Sequence, residues 1–222
     1  MRVAIAGAGN VGLDIANKLA SNDHDVLLIE QDPDVIELQS ARTADGVHWV
    51  CADACEVSSL HECELDKTDV LVAVTGDDED NLVISLLAKM EFAISRVIAR
   101  VNHPKNEWLF NETWGVDIPV STPQLITAFV EEAVSVGTLV RLLQLEGGQA
   151  RLVEMTLASD SPALGHAVAD LDTPRDSTFV AIVRDEHVVV PRGDTVFLAG
   201  DEVLALVTPD SEDAIRAILA GP

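Results

Sequence analysis

The sequence predicts an α/β fold with a doubly wound parallel sheet, followed by a smaller α+β C-terminal domain. An apolar run at residues 3–6 leads directly into a loop with three glycines, a junction typical of the first strand and helix of such a sheet. Strand-like and helix-like segments then alternate up to residue 120, which predicts parallel βαβ units. After Gly147-Gly148 the runs become shorter, which indicates a second module. We therefore expect an N-terminal domain over 1–120, a linking and dimerisation helix over 121–140 and a C-terminal domain over 141–222.

The glycine loop has the Gly-x-Gly-x-x-Gly spacing of a Rossmann-like nucleotide-binding turn. Gly7 permits the tight turn, Gly9 lets the backbone approach a pyrophosphate, and Gly12 lets the following helix pack on the strand. The helix predicted from Asn10 to Ser21 offers free N–H groups and the positive end of its dipole to an anion. The candidate phosphate contacts are therefore Gly7, Ala8, Gly9, Asn10, Val11 and Gly12.

An acidic residue closes the second predicted strand, Asp25–Glu30. Glu30 lies 18 positions after Gly12 (30 − 12), close to the offset of about 20 expected for the carboxylate that binds a ribose hydroxyl. Gln31 follows, and neither Arg nor Lys comes directly after it to neutralise a 2′-phosphate. This pattern disfavours NADP and makes Glu30 and Gln31 candidate ribose contacts.

The third predicted strand, Val47–Cys51, is followed by Asp53 and Ala54. Ligands of doubly wound sheets bind at the carboxyl ends of the strands, so both residues are candidate contacts of an adenine or ribose edge. Asp53 could equally cap the next helix, and the sequence leaves these two roles open.

Two further strands end in candidate site residues. Asp69–Val74 leads into Thr75 and Gly76, which are placed to touch a nucleotide, and the strand predicted over 95–101 carries Arg100. Arg100 could reach the phosphates or could pair with an acidic residue of the preceding loop, Asp77 or Asp78. Acidic residues 77–80 also suit the N-terminus of the helix that follows them.

A long amphipathic helix is predicted over Ser121–Val140, after short helices at 34–44 and 104–113 and a sixth strand at 115–120. Its apolar stripe could pack on a second copy of the protein or could cover the sheet. Beyond it, strands are predicted at 151–157, 178–183, 187–190, 196–198 and 202–208, with helices at 161–168 and 210–219.

Composition excludes several classes of function. A net charge of −24 with only 14 Lys and Arg residues argues against binding to nucleic acid or to anionic lipid. No apolar stretch approaches the roughly 18 to 20 residues of a membrane span, and Met1-Arg2 does not begin a signal sequence, so we expect a cytoplasmic protein without direct membrane insertion. Cys51, Cys55, Cys63 and His61 match no compact metal-binding spacing, so we expect reduced thiols and no metal.

The main alternative is an NAD-dependent oxidoreductase with a C-terminal substrate domain. The chain contains no Tyr for a Tyr–Lys proton relay, and the nearest candidate base, His103, is better interpreted as a loop residue. A redox-sensing repressor would need a basic DNA-binding element that the sequence lacks. We therefore predict no catalytic residues.

The combined motifs resemble those of the RCK (TrkA-type) regulatory proteins of bacterial potassium uptake and potassium channels. The resemblance rests on segments in both halves of the chain. These segments are Gly7–Gly12, Leu28–Pro33, Ala52–Ala54, Val74–Asn81, Ile98–Asn102 and Pro191–Val203.

The resemblance implies a cytoplasmic subunit that binds NAD(H) or ATP/ADP, assembles as dimers within a ring, and gates a separate integral membrane potassium-translocating subunit. It implies roles for Glu30 at the ribose, Asp53 near the adenine and Arg100 near the phosphates. Two positions depart from the usual family pattern: Ala52 precedes Asp53 where Gly is usual, and Glu30 stands where Asp is usual.

Overall fold

The computed structural model describes residues 1–134, 136–145 and 149–221, which form two compact units, Met1–Pro123 and Gln124–Pro222. The first unit ends close to the expected end of the N-terminal domain at residue 120. The pair Gly147-Gly148, which we interpreted as a module boundary, lies outside the described residues.

The N-terminal unit is built on a parallel sheet with the strand order β3-β2-β1-β4-β5-β6. The order reverses direction between β1 and β4, and such a switch point opens a crevice at the carboxyl ends of the strands. The strands are β1 (Arg2–Ala6), β2 (Asp25–Glu30), β3 (Val47–Cys51), β4 (Val70–Ala73), β5 (Arg96–Val101) and β6 (Ile118–Ser121). The α-helices between them are α1 (Asn10–Ala20), α2 (Pro33–Gln39), α3 (Val57–Glu62) and α4 (Asp78–Met90).

The central strands are buried on both sides because their alternate residues enter two separate cores. In β1, Ala4 and Ala6 pack in one cluster, whereas Val3 and Ile5 pack in the other. The same two-residue period divides the neighbouring strand β2. This double burial explains the continuous apolar runs in the sequence and confirms the predicted doubly wound sheet.

Two short helices of this unit differ from the prediction. The segment expected to be helical over 34–44 divides into α2 and a 3₁₀ turn, Ser40–Arg42. The segment expected over 104–113 consists of two 3₁₀ turns, Pro104–Leu109 and Glu112–Trp114. Gly115 follows in a left-handed conformation, with φ of 75°, which does not continue a right-handed helix.

The linking helix, α5, spans Thr122–Val134, so the expected helix over 121–140 is too long. Gly137 has a φ of +81°, a left-handed conformation outside a right-handed helix. Val140 already begins a strand. On the helix, Ile126, Phe129 and Val130 are exposed.

The C-terminal unit contains an antiparallel sheet with the order β10-β9-β11-β8-β7, and its carboxyl-terminal helix contributes Ile215 to the core. Val153, Met155, Ile182 and Val203 supply strand residues to the same core. The elements are β7 (Val140–Leu145), β8 (Ala150–Thr156), β9 (Thr178–Arg184), β10 (His187–Val189), β11 (Glu202–Val207) and α6 (Glu212–Ala220).

Three details of this unit were predicted wrongly. The helix expected at 161–168 is a series of turns that precedes a 3₁₀ segment, Val168–Asp170. The strand expected at 196–198 is a single bridge between Val196 and Ala167. Strand β7 was missed because the predicted helix included its first residue.

Among the described residues, no helix is both long and apolar enough to cross a membrane.

Candidate nucleotide-binding site

The three glycines of the β1–α1 loop occupy different environments. Gly7 has a φ of +102°, and a Cβ atom there would lie 2.9 Å from the backbone nitrogen of Thr75. A Cβ on Gly12 would lie 2.0 Å from the carbonyl oxygen of Gly7. Gly9 is exposed, and a Cβ there would meet nothing within 4 Å. The fold itself therefore requires Gly7 and Gly12, whereas the space at Gly9 is free for a ligand.

The N-terminus of α1 opens onto this free space. Its N-cap residue is Gly9, no side chain caps it, and its first turn contains no acidic residue. Helix α4 contrasts with it, because the Asp77 carboxylate there accepts hydrogen bonds from Glu79 N and Asp80 N. Uncapped N–H groups and the helix dipole favour a phosphate at α1, beside Asn10 and Val11.

Glu30 joins the end of β2 to the glycine loop. Its Oε2 accepts a hydrogen bond from Ala8 N at 2.9 Å, and its Oε1 accepts one from Asp32 N at 3.0 Å. Because each carboxylate oxygen has two lone pairs, both oxygens retain acceptor capacity for a ribose hydroxyl. The backbone carbonyl oxygen of the next residue, Gln31, accepts a hydrogen bond from Cys51 Sγ at 3.8 Å.

The sequence left two roles open for Asp53, and the structure excludes one of them, because Asp53 does not cap the next helix. Its Oδ1 accepts a hydrogen bond from Cys55 N at 2.8 Å, which closes a local turn with Ala54 at its centre. The N-cap position of α3 is Glu56. Asp53 therefore belongs to the loop at the carboxyl end of β3.

The Cys55 thiol lies beside this turn. Burial, together with the negative charges of Asp80 and Asp53, raises the pKa of Cys55 to about 12, so the thiol stays protonated at neutral pH. Among the described residues, no group of three His, Cys, Asp or Glu side chains is arranged to hold a metal ion.

Thr75 and Gly76 follow β4, and the buried side chain of Asn81 holds the loop in place. Asn81 Oδ1 accepts hydrogen bonds from Thr75 N and Thr75 Oγ1, both at 2.9 Å. A Cβ on Gly76 would meet nothing within 4 Å, so this position is open like Gly9.

Arg100 lies near the end of β5, and its buried Nε has no hydrogen-bond partner in the structure. The alternative role, a pairing with Asp77 or Asp78, is absent from the ion pairs of the described residues. A buried guanidinium nitrogen without a partner is costly, and an anionic ligand would satisfy it. This orphaned group therefore fits a phosphate-bearing ligand.

Asp78 is 2% exposed and binds the loop after β5. It accepts hydrogen bonds from Asn102 N at 2.6 Å, His103 N at 3.0 Å and Asn106 Nδ2 at 2.9 Å. Burial alone would raise the pKa of Asp78, but these hydrogen bonds outweigh it and lower the pKa below its usual range. His103 thus contributes its backbone to a loop, as its interpretation as a loop residue predicts.

Sequence reasoning missed Asp78 and Asn81 as structural parts of the site. The signal was available in α4, where the polar residues Asn81 and Ser85 are four positions apart among buried apolar residues. Polar side chains on the buried face of a helix require specific partners. The partners of Asn81 are Thr75 and Arg100 of the candidate site, whereas Ser85 donates to the Asn81 carbonyl oxygen within the helix.

Family models match both halves of the chain, the TrkA-N domain over residues 3–122 and the TrkA-C domain over residues 152–220. The chain belongs to the TrkA family. The Trk system potassium uptake protein TrkA of Mycobacterium tuberculosis is 48% identical over 219 residues, which cover 99% of this chain and 98% of that protein. A TrkA homologue from Methanothermobacter thermautotrophicus is 32% identical and is covered over 95% of both chains.

Two solved structures share the fold. The GsuK channel bound to NAD superposes with a TM-score of 0.62 at 16% identity, over 100% of this chain and 39% of that chain. The TrkA-N domain of the inner membrane protein ybaL from Escherichia coli gives a TM-score of 0.53 at 18% identity, over 60% of this chain and 96% of that domain.

Proposed function

We propose that this protein is a nucleotide-binding regulatory subunit that gates a membrane potassium-uptake system. The observation that carries the proposal is the 48% identity to the M. tuberculosis Trk potassium uptake protein, which extends over nearly the full length of both chains. We infer that the protein acts as a sensor and not as an enzyme, because the relatives it matches are named as potassium uptake proteins and the candidate site presents loops for ligand binding.

The ligand is NAD(H) or ATP/ADP, bound at the carboxyl ends of β1 to β5. The uncapped α1 terminus, the free space at Gly9 and the orphaned Nε of Arg100 support phosphate binding. We assign the ribose to Glu30 and Gln31, at the end of β2, and the adenine to Asp53 and Ala54, in the loop after β3. The remaining contacts are assigned to Gly7, Ala8, Asn10, Val11, Gly12, Thr75 and Gly76.

The partners are a second copy of the chain and an integral membrane potassium-translocating subunit. The exposed apolar residues Ile126, Phe129 and Val130 of α5 support a homodimer contact, and dimers would assemble into a ring. The protein would lie in the cytoplasm at the inner face of the cell membrane, held there by its partner. A net charge of −24 opposes contact with nucleic acid.

Gating requires the nucleotide to favour one arrangement of the dimer over another. A ligand shifts such an equilibrium only through different affinities for the two states, and a tenfold difference corresponds to about 1.4 kcal/mol. Two nucleotides that bind equally tightly can therefore have opposite effects on transport.

Nucleotide binding is tested with Gly9→Ala. The new methyl group fits the protein, because a Cβ there meets nothing within 4 Å, but it occupies the space assigned to the pyrophosphate. We expect the methyl group to displace the pyrophosphate from a hydrogen bond at the helix N-terminus. Calorimetry with NADH and ADP should then show a loss of affinity of about 10- to 100-fold, which is what the loss of one hydrogen bond to a charged group costs. Gly193→Ala in the C-terminal unit is the matched control. Equal affinities of Gly9→Ala and wild type would contradict the assigned site.

Regulation of transport is tested by deleting the gene and complementing it with wild type or Gly9→Ala. We expect deletion to reduce potassium uptake and the wild-type gene to restore it. The Gly9→Ala gene should produce as much protein as wild type, but potassium uptake should no longer respond to the nucleotide. A membrane subunit should co-purify with both versions. Unchanged potassium uptake in the deletion strain would refute the proposed function.

A further inference from the structure

The side chain of Asn81 joins the ends of two neighbouring strands. It is fully buried in α4, with 0% exposure. Its Oδ1 accepts hydrogen bonds from Thr75, at the end of β4, and its Nδ2 donates to the carbonyl oxygen of Arg100 in β5 at 3.0 Å. One amide group therefore contacts the backbone on both sides of the candidate phosphate region.

The orientation of this amide is determined by its neighbours. The oxygen faces the N–H and hydroxyl groups of Thr75, and the nitrogen faces two carbonyl oxygens, those of Thr75 and Arg100. Thr75 in turn forms the wall beside Gly7, where a Cβ would lie 2.9 Å from Thr75 N. Asn81 thus connects the wall of the glycine loop to the strand that carries Arg100.

A second link runs parallel to the first. Asn102 Nδ2 donates to the Thr75 carbonyl oxygen at 3.2 Å, and Asp78 holds Asn102 through its backbone N–H. The buried amide of Asn81 is costly in a helix core unless all its bonds are made, and its partners belong to the two strand ends of the candidate site. An apolar residue would fill the core but could not hold the strand ends together.

We propose that Asn81 is the positioning residue of the nucleotide site, which sets the separation between the Thr75 loop and Arg100. This inference rests on the proposed function, since it assigns a role within the same nucleotide site. Asn81 touches no ligand in this scheme and acts through Thr75 and Arg100.

The test compares Asn81→Ala with Ser85→Ala in the full-length chain. Ser85 is equally buried one turn further along α4, and its hydroxyl donates only to the Asn81 carbonyl oxygen within the helix. We expect Asn81→Ala to weaken binding of NADH and ADP about tenfold, as loss of a supporting hydrogen-bond partner does at other sites. Ser85→Ala should change affinity less than about twofold, because its hydroxyl contacts neither Thr75 nor Arg100. Equal affinities for the two variants would overturn the proposal.

A double-mutant cycle shows whether Asn81 acts through Arg100. If it does, Asn81→Ala should cost clearly less affinity in an Arg100→Ala background than in wild type, whereas independent roles would give additive losses. Should Asn81→Ala not fold, Asn81→Asp serves instead, because it keeps the acceptor for Thr75 and loses the donor to Arg100. Wild type that binds no adenine nucleotide would refute the proposed function, whereas wild type that binds while Asn81→Ala matches it would refute only the positioning role.

Discussion

The two units of the chain satisfy their buried carboxylates in different ways. In the N-terminal unit, Asp78 is bound by neutral donors, the backbone N–H groups and an amide of the loop after β5. In the C-terminal unit, Asp201 accepts two hydrogen bonds from the Arg184 guanidinium, both at 2.7 Å. Glu212 likewise accepts hydrogen bonds from Arg141 at 2.8 Å and Arg151 at 2.8 Å.

This difference shows where the scarce cations of an acidic chain are used. In the C-terminal unit, Arg184 neutralises the buried Asp201, and Arg141 and Arg151 neutralise the buried Glu212. Burial alone would raise the pKa of Glu212, but the hydrogen bonds from Arg141 and Arg151 lower it below its usual range. In the N-terminal unit, the buried Nε of Arg100 has no partner, and Arg100 is absent from the ion pairs of the described residues. Arg151 also has a buried Nε without a partner, but its Nη1 donates to Glu212. The first arrangement stabilises a fold, whereas the second leaves positive charge available to a ligand.

The comparison predicts its largest effect at Asp201. Asp201→Ala leaves the Arg184 guanidinium without its carboxylate and also removes the acceptor of Leu198 N. We expect the C-terminal unit to lose about 3–5 kcal/mol of stability, the typical cost of breaking a buried ion pair. Urea unfolding measures the loss, and the exposed Asp194→Asn is the control. Nucleotide affinity of the folded variant should stay at the wild-type value; a large drop would contradict the division of roles.

A smaller effect, on binding and not on folding, is expected at Arg100. Arg100→Ala should weaken NADH and ADP binding by about 10- to 100-fold, because a hydrogen bond between charged groups contributes about 1.5–3 kcal/mol. Its unfolding free energy should change by less than about 1 kcal/mol, since the buried Nε has no hydrogen bond to lose. Arg96→Ala, at the exposed start of the same strand, is the control for calorimetry and urea unfolding. If Arg100→Ala instead lost stability and kept its nucleotide affinity, Arg100 would be a structural residue and not a ligand contact.

The third prediction concerns pH. The pKa of Asp78 in the folded protein is below its usual value, so its carboxylate adds stability that is present above about pH 4 and lost as the pH falls through the folded pKa. Asp78→Asn cannot ionise, and at pH 7 it should be less stable by about 1–3 kcal/mol, because its amide presents a donor to N–H groups. The difference from wild type should stay constant between pH 6 and about pH 5 and shrink as the pH falls below about 4.

Urea unfolding across this pH range provides the measurement, and Glu79→Gln, at the neighbouring exposed position, is the control. Glu212 titrates in both proteins and therefore cancels from the difference. A stability difference that does not vary with pH would show that Asp78 is not the group responsible.

The central strands β1, β2 and β4 could be predicted almost residue by residue, because they are buried on both faces and produce unbroken apolar runs. Strand Asp25–Glu30 has the predicted bounds. The edge strand Val47–Cys51 also has its predicted bounds, although none of its residues is fully buried, and the sixth strand, expected over 115–120, is found at Ile118–Ser121.

The C-terminal unit was less predictable. Its turns at 161–168 contain apolar residues that mimic helical spacing. The helix expected over 121–140 was extended past Gly137, whose φ of +81° is left-handed, and therefore included the first residue of β7.

The candidate site could be predicted where the backbone geometry is encoded by residue type, as at Gly7 with its φ of +102°. The partners of buried polar groups could not be predicted. The sequence shows Asn81 and Arg100 as isolated residues 19 positions apart (100 − 81), and only the parallel pairing of β4 with β5 brings them together. Roles that depend on such tertiary contacts have no local pattern.

The different surroundings of the three loop glycines have a consequence for how the family can vary. At Gly12 a methyl group would overlap the Gly7 carbonyl oxygen at 2.0 Å, so every other amino acid there is penalised whether or not a ligand binds. At Gly9 a methyl group meets only open space, so the penalty exists only while the protein needs its nucleotide. A family member that no longer depends on its nucleotide would therefore keep Gly12 and first accept substitutions at Gly9. The residue at position 9 is thus a marker of ligand dependence.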